Sequence, residues 1–260
     1  MSPIFKEYDK FRKSVLSFQY IKIHLISRIL QYSPYQGFTF YANQRLFMED
    51  YIKRGFVPFN YYEFGVAAGR SAEAYSKGLN SFCKYKNIKI DNFNMFLFDS
   101  FEGMPIPSNK IDEGPQHFEG QYKSSIDLVK ERLRINKNHI NVHFIKGFFE
   151  ESLTPELFEK LKKTPPSIVR IDVQYYNSAM LVLNFIKPLL QNGCIIYFEN
   201  ISDYLNCPFK GEVAALYDFN KTYEQEKTII YPIQSTFGIP LLQNHVYVYT
   251  SLNVDVLPKI

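Results

Sequence analysis

The sequence contains no tryptophan and only three cysteines, Cys83, Cys194 and Cys207, none of them in a CxxC pair. An odd number of thiols without that spacing excludes a disulfide framework and a zinc knuckle, and a reducing cytoplasm is the expected compartment. Neither sign of charge dominates, with 30 Lys and Arg against 26 Asp and Glu, a formal net charge of +4 over 260 residues. A phosphate-tracking surface clusters its basic residues. The densest lysine run here, Lys77 to Lys89, reads as a solvated helix end and loop, so nucleic acid is not an expected partner. Long apolar runs are missing too. The best candidate, Val15 to Leu30, is interrupted by Lys22, His24 and Arg28, well short of the ~20 apolar residues of a membrane span. Its mixed-charge approach (Lys6, Glu7, Asp9, Lys10) and the lack of a small-residue cleavage site argue against a secretory signal. Internal repeats and low-complexity tracts are also absent.

What is present is enough for a sizeable core: 46% of residues are hydrophobic and 22% charged, which excludes disorder and collagen-like chains. The 20 Tyr and 24 Phe fit a codon bias that also enriches Ile, Asn and Lys, and do not mark an aromatic stacking platform. Residues 1–57 read as an N-terminal helical extension of two helices, roughly 5–32 and 43–54, separated by Ser33, Pro34 and Gly37. Phe18, Ile21, Leu25 and Ile29 recur at helical spacing, and this apolar stripe predicts a homodimer contact.

Residues 58–260 read as one α/β domain. Short β-branched and aromatic runs fall at Tyr61–Val66, Phe93–Phe98, Val142–Ile145, Ile168–Ile171 and Cys194–Phe198, with helical stretches at 71–84, 124–137, 155–163 and 178–191 between them. Such alternation predicts a mainly parallel sheet covered by helices on both faces. Two last runs, Lys227–Ile233 and Val246–Thr250, predict an antiparallel pair closing one edge and bring the sheet to seven strands. The insertion Gly103–Lys123, with three prolines and three glycines, is long for a structureless loop and predicts a lid over the ligand-binding end of the sheet.

Three constellations carry chemistry. Glu63-Phe64-Gly65-Val66-Ala67-Ala68-Gly69-Arg70-Ser71 joins the first strand to a helix. Gly65 and Gly69 let backbone approach a ligand, and the helix start offers free N–H groups. The spacing matches neither a P-loop nor GxGxxG, so the expected ligand has a positive centre and no phosphate. Asp99, at the tip of the second strand, is placed to accept both hydroxyls of a ribose. Asp172 ends the fourth strand, and Glu199 and Asn200 end the fifth. Neighbouring strand tips ~4.8 Å apart let these hard oxygens converge on one Mg²⁺.

The segments EFGVAAGRSAEA (63–74), FDSFEGMP (98–105), KGFFEESL (146–153), RIDVQYYNS (170–178) and GCIIYFEN (193–200) occur in that order. Together they resemble the macrocin O-methyltransferase family, S-adenosylmethionine-dependent enzymes that methylate sugar hydroxyls on natural products. The resemblance implies a Rossmann-like class I methyltransferase fold and a sugar, glycan or other small-molecule acceptor. It also implies that Glu63, Gly65 and Ser71 line the methionine end of S-adenosylmethionine, that Asp99 holds its ribose, and that Gly147 and Phe148 border its adenine. The family's DxDxY stands here as Asp172-Val173-Gln174-Tyr175-Tyr176, so the aspartate that the resemblance implies as general base is replaced by an amide that takes no proton at neutral pH. Its Asp-Asp after the fifth strand is Glu199-Asn200. Fewer carboxylates predict weak Mg²⁺ binding at Asp172, Glu199 and Asn200. Asp172 keeps a catalytic part, and His117 in the lid is the histidine placed to serve as base, whereas His143 reads as a packed strand residue. Two other readings fit the same residues. One is a cofactor-binding protein that Gln174 has left without catalysis, and the other is a nucleic-acid methyltransferase, favoured only by a pI of about 8.7.

Overall fold

A computed structural model of the chain describes residues 60–87, 93–113, 117–134, 140–201, 207, 209–232 and 246–255. The expected N-terminal helical extension and its dimer stripe lie outside these residues. Seven strands form one sheet in the order β3-β2-β1-β4-β5-β7-β6. They are β1 (Asn60–Phe64), β2 (Asn94–Asp99), β3 (Asn141–Lys146), β4 (Ile168–Ile171), β5 (Ile195–Phe198), β6 (Thr228–Pro232) and β7 (Val246–Ser251). The pairings from β3 through β5 are all parallel. β7 runs antiparallel to both of its neighbours, as expected of the closing pair.

Every residue of β1, β4 and β5 is buried, the mark of central strands covered on both faces. The edge strands β3 and β6 are half exposed. The helices are α1 (Arg70–Lys86), α2 (Ile126–Leu133), the single turn α3 (Phe149–Ser152), α4 (Pro155–Leu161), α5 (Tyr176–Ile186) and α6 (Gly211–Thr222). Parallel crossovers are right-handed in about 98% of cases. Those stepping from β1 toward β3 and those stepping from β4 to β5 therefore put their helices on opposite faces. In agreement, α1 packs with α2, and α5 packs with α6.

Local chemistry starts these helices where they are needed. Ser125 accepts from the Leu128 amide at 3.2 Å and caps α2, and Thr154 caps α4 ahead of Pro155 at its first position. Aromatic side chains fill the core beneath the strand tips, with Phe64 stacked on Phe98 at 4.2 Å and Tyr61 on Tyr75 at 3.9 Å. Burying each such ring stabilises the fold by roughly 1.5–3 kcal/mol. Among the described residues no helix is long and apolar enough to cross a membrane.

Candidate active site

Strand order reverses direction between β1 and β4, the switch point at which open parallel sheets bind ligands. The carboxyl ends of the strands meet there in a row of backbone bonds. Gly147 N–H donates to Asp99 O (3.1 Å), Gly65 N–H to Phe98 O, Asp172 N–H to Phe64 O and Glu199 N–H to Ile171 O (2.9 Å each). A cavity of about 360 Å³ opens above this row, lined by Gly65, Ala67, Asp99, Gly147 and Phe148 on one wall and by Asp172, Gln174, Ser178, Glu199 and Asn200 on the other. The insertion closes over it and contributes Gly103, Met104, Pro105, Gln121 and Tyr122.

Gly65 has φ +84°, and a Cβ there would lie 1.9 Å from the Asp172 carbonyl oxygen. Only glycine fits both constraints. Asp99 organises the loop that follows. Its Oδ2 accepts from Val66 N–H (2.6 Å) and Ala67 N–H (2.8 Å), and its Oδ1 from Phe101 N–H (2.6 Å). A carboxylate offers about four acceptor positions, so three backbone amides leave Asp99 capacity for a further hydroxyl donor. Ala67 and Gln174, one on each wall, hold left-handed backbone without being glycine (φ 44° and 57°), a form of strain that concentrates at functional sites.

Glu63, Gly69, Ser71 and His117 do not line this cavity. Glu63 is fully buried beneath the loop, where its carboxylate accepts from Ser71 Oγ–H and, at 2.7 Å, from Tyr61 O–H. Burial lifts its pKa to about 7 against the pull of Arg170 and these hydrogen bonds. Gly69, with φ +72°, is the point where the loop meets α2, since a Cβ there would lie 2.8 Å from Val129 Cγ1. His117 packs edge-on to Tyr175, ring centroids 6.1 Å apart. His143 stacks on Phe96 at 4.5 Å on β3, a strand position away from the cavity.

The oxygen-rich wall is tied together by two charged residues that periodicity alone does not single out. Arg170, on β4, has a side chain only 5% exposed; its Nη2 donates to Asp172 Oδ2 (3.1 Å) and forms an ion pair with Glu199 Oε2 (2.9 Å). Glu212, in the first turn of α6, is fully buried. It accepts from Val173 N–H (2.9 Å), Asn200 N–H (2.9 Å) and Asn200 Nδ2 (3.1 Å), and burial raises its pKa to about 8. Asn200 Nδ2 also donates to Asp172 Oδ1 at 2.9 Å, and Gln174 Nε2 lies 3.5 Å from the same oxygen. Both oxygens of Asp172 thus already receive protein N–H groups. Mg²⁺ is held by oxygens, one or two carboxylates with water completing its shell; here the Asn200 side chain turns its nitrogen toward Asp172 and Arg170 pairs with both carboxylates. Among the described residues no three His, Cys, Asp or Glu side chains are grouped to hold a metal ion.

The lid is strapped at its base by Met104 N–H to Gln121 O and Gly120 N–H to Met104 O, both 2.9 Å. At its far side the buried Asp112 accepts from the Tyr176 and Asn177 amides at the start of α5, and Asn177 Nδ2 donates to Ser108 Oγ at 2.6 Å. A lid carboxylate therefore caps the helix that follows the Asp172 loop.

The sequence profile of the macrocin O-methyltransferase family (TylF) matches residues 33–235. The chain belongs to this family. As a member it is an O-methyltransferase that uses S-adenosylmethionine. Among solved structures, CalS11, a calicheamicin methyltransferase, is similar at TM-score 0.62 and 20% identity over 97% of this chain and 94% of that one. The O-methyltransferase NovP is similar at TM-score 0.53 and 18% identity over 81% and 78%. An apo structure of CalS11, described as a TDP-rhamnose 3'-O-methyltransferase, also aligns at TM-score 0.53. At these identities the likeness establishes the fold. No curated protein matches the chain by sequence.

Proposed function

We propose that this methyltransferase acts on a hydroxyl of a sugar or of a sugar-bearing small molecule or glycan. One observation carries the reading: the glycine-loop wall and the oxygen-rich wall face each other across a single cavity at the β1/β4 switch point. The first wall suits the donor, with Gly65 and Ala67 giving backbone access, Asp99 accepting from the ribose, and Gly147 with Phe148 beside the adenine. The second wall, with Asp172, Gln174, Ser178 and Asn200, offers donors and acceptors at close spacing, which suits a polyhydroxylated acceptor. Glu63 and Ser71 support the loop from below.

In the transfer, the acceptor oxygen forms a bond to the methyl carbon while the carbon–sulfur bond breaks, and S-adenosylhomocysteine leaves. The hydroxyl proton goes to Asp172. Burial, helped by the charge of Glu199, holds that carboxyl above its usual range against the pull of Arg170, which makes it a better base near neutral pH. Gln174 positions the hydroxyl by hydrogen bonding, and Asn200 holds Asp172.

The test is transfer of a labelled methyl group to a panel of free and nucleotide-linked sugars. Asp172→Asn should lower kcat by about 100-fold or more while S-adenosylmethionine binding, read by calorimetry, stays within a few-fold. Retained turnover in that variant would remove Asp172 as the base.

A further inference from the structure

Residues 63, 170 and 197 are in register across β1, β4 and β5, so their side chains leave the same face of the sheet. Two positions further along their strands, Asp172 and Glu199 return to that face at the tips. Arg170 lies in the middle of this group. Its Nη2 is shared between Asp172 and Glu199, its Nε is 3.9 Å from Glu63 Oε1, and its guanidinium lies 5.1 Å from the Tyr197 ring centroid. A guanidinium does not lose its proton in a protein. The two carboxylates at the mouth of the cavity are therefore permanently paired with a fixed internal cation.

The third oxygen of the expected metal set is also withdrawn. The Asn200 amide nitrogen faces both Asp172 Oδ1 and Glu212 Oε1. Turned the other way, its oxygen would face the Asp172 carboxylate, the proton acceptor of the proposed reaction, with no proton between them. Glu212 fixes this orientation, because it also holds the backbone amides of Asn200 and Val173. A divalent ion entering here would meet a carboxylate each of whose oxygens already accepts an N–H, an amide presenting hydrogens to it, and the like charge of Arg170 close by.

We propose that Arg170 is the positioning cation of this site, that it replaces a divalent metal, and that methyl transfer proceeds without one. Arg170 holds Asp172 and Glu199 in place while Asp172 receives the proton. The inference rests on the methyl-transfer reading of the cavity, yet metal occupancy can be measured without turnover.

The experiment is a Mn²⁺ titration of the full chain followed by electron paramagnetic resonance, with S-adenosylmethionine present, on wild type, Asp172→Asn and Arg170→Met. Wild type should show no saturable site up to about 1 mM Mn²⁺, with a spectrum indistinguishable from that of Asp172→Asn. Arg170→Met, which removes the cation and keeps similar bulk, should gain Mn²⁺ affinity by about tenfold or more. A wild-type site that saturates in the tens of micromolar and disappears in Asp172→Asn would overturn the proposal, as would a folded Arg170→Met with no gain. If Arg170→Met does not fold, the comparison of wild type with Asp172→Asn decides. Calorimetry with S-adenosylmethionine on the same samples reports on the methyl-transfer reading separately, since its failure would leave the Mn²⁺ result standing.

Discussion

Asp99 does two things with one carboxylate, and they can be separated. It holds the amides of Val66, Ala67 and Phe101, so it shapes the donor loop before any ligand arrives. Asp99→Ala should weaken S-adenosylmethionine binding by about 10- to 150-fold, the equivalent of ~1.5–3 kcal/mol for hydrogen bonds to a charged acceptor. It should also lower the Tm of the ligand-free protein, because three backbone donors lose their partner. Calorimetry and thermal denaturation check the two effects; an unchanged Tm would show that the loop holds its own shape. Glu63 makes a different prediction. Its folded pKa of about 7 lies above the ~4.3 of an unfolded glutamate. Between those values the folded state binds more protons, so the stabilisation from this group is complete at low pH and is lost as pH rises to 7. Glu63→Gln does not titrate, so its urea midpoint should fall less than that of wild type between about pH 4.5 and 7. Parallel curves would mean that Glu63 is ionised throughout.

At the scale of elements, the lid and α5 depend on each other. Asp112 comes from the lid, and its carboxylate satisfies amides at the start of α5. Asp112→Ala should cost about 1 kcal/mol of stability, as loss of a helix cap does, and should speed proteolytic cleavage within 103–123. Denaturant titration with limited proteolysis tests both, and slower cleavage would contradict the latch. The strands were legible in the sequence because each is a short β-branched or aromatic run bounded by turn residues. All seven fall within a few residues of the runs read there, and the helix starts near 71, 124, 155 and 178 were legible too. Helix α6 was not. Its buried face is made largely of Gly211, Ala214, Ala215, Leu216 and Phe219, and with three small residues among the five it gives a weak apolar stripe. With α6 went Glu212, whose place after a glycine in a first turn looks like an ordinary solvated helix-end carboxylate. Arg170 did leave a signal, a cation inside the apolar run Ile168–Ile171, which in a central strand calls for buried carboxylate partners. The trans-acting cap by Asp112 had none, because its partners are 64 and 65 residues away.

Across the whole molecule, the proposed reading gives the two halves of the sheet different chemistry at the switch point, donor binding from β1, β2 and β3 and acceptor binding from β4 and β5. They touch where the Asp172 carbonyl fills the space a Gly65 side chain would take. Gly65→Ala should therefore damage both halves, destabilising the fold by more than the ~1 kcal/mol typical of a substitution and abolishing S-adenosylmethionine binding in whatever folds. Full affinity in that variant would show that the loop can move away from β4. The same contact has a thermodynamic consequence. If ordering the donor loop fixes the Asp172 carbonyl, and seating the acceptor fixes it from the other side, the two ligands share one ordering cost. Each must then raise the affinity of the other by the same factor. Reciprocity extends to the products: S-adenosylhomocysteine and the methylated acceptor should retain each other, so an excess of either one slows the escape of its partner.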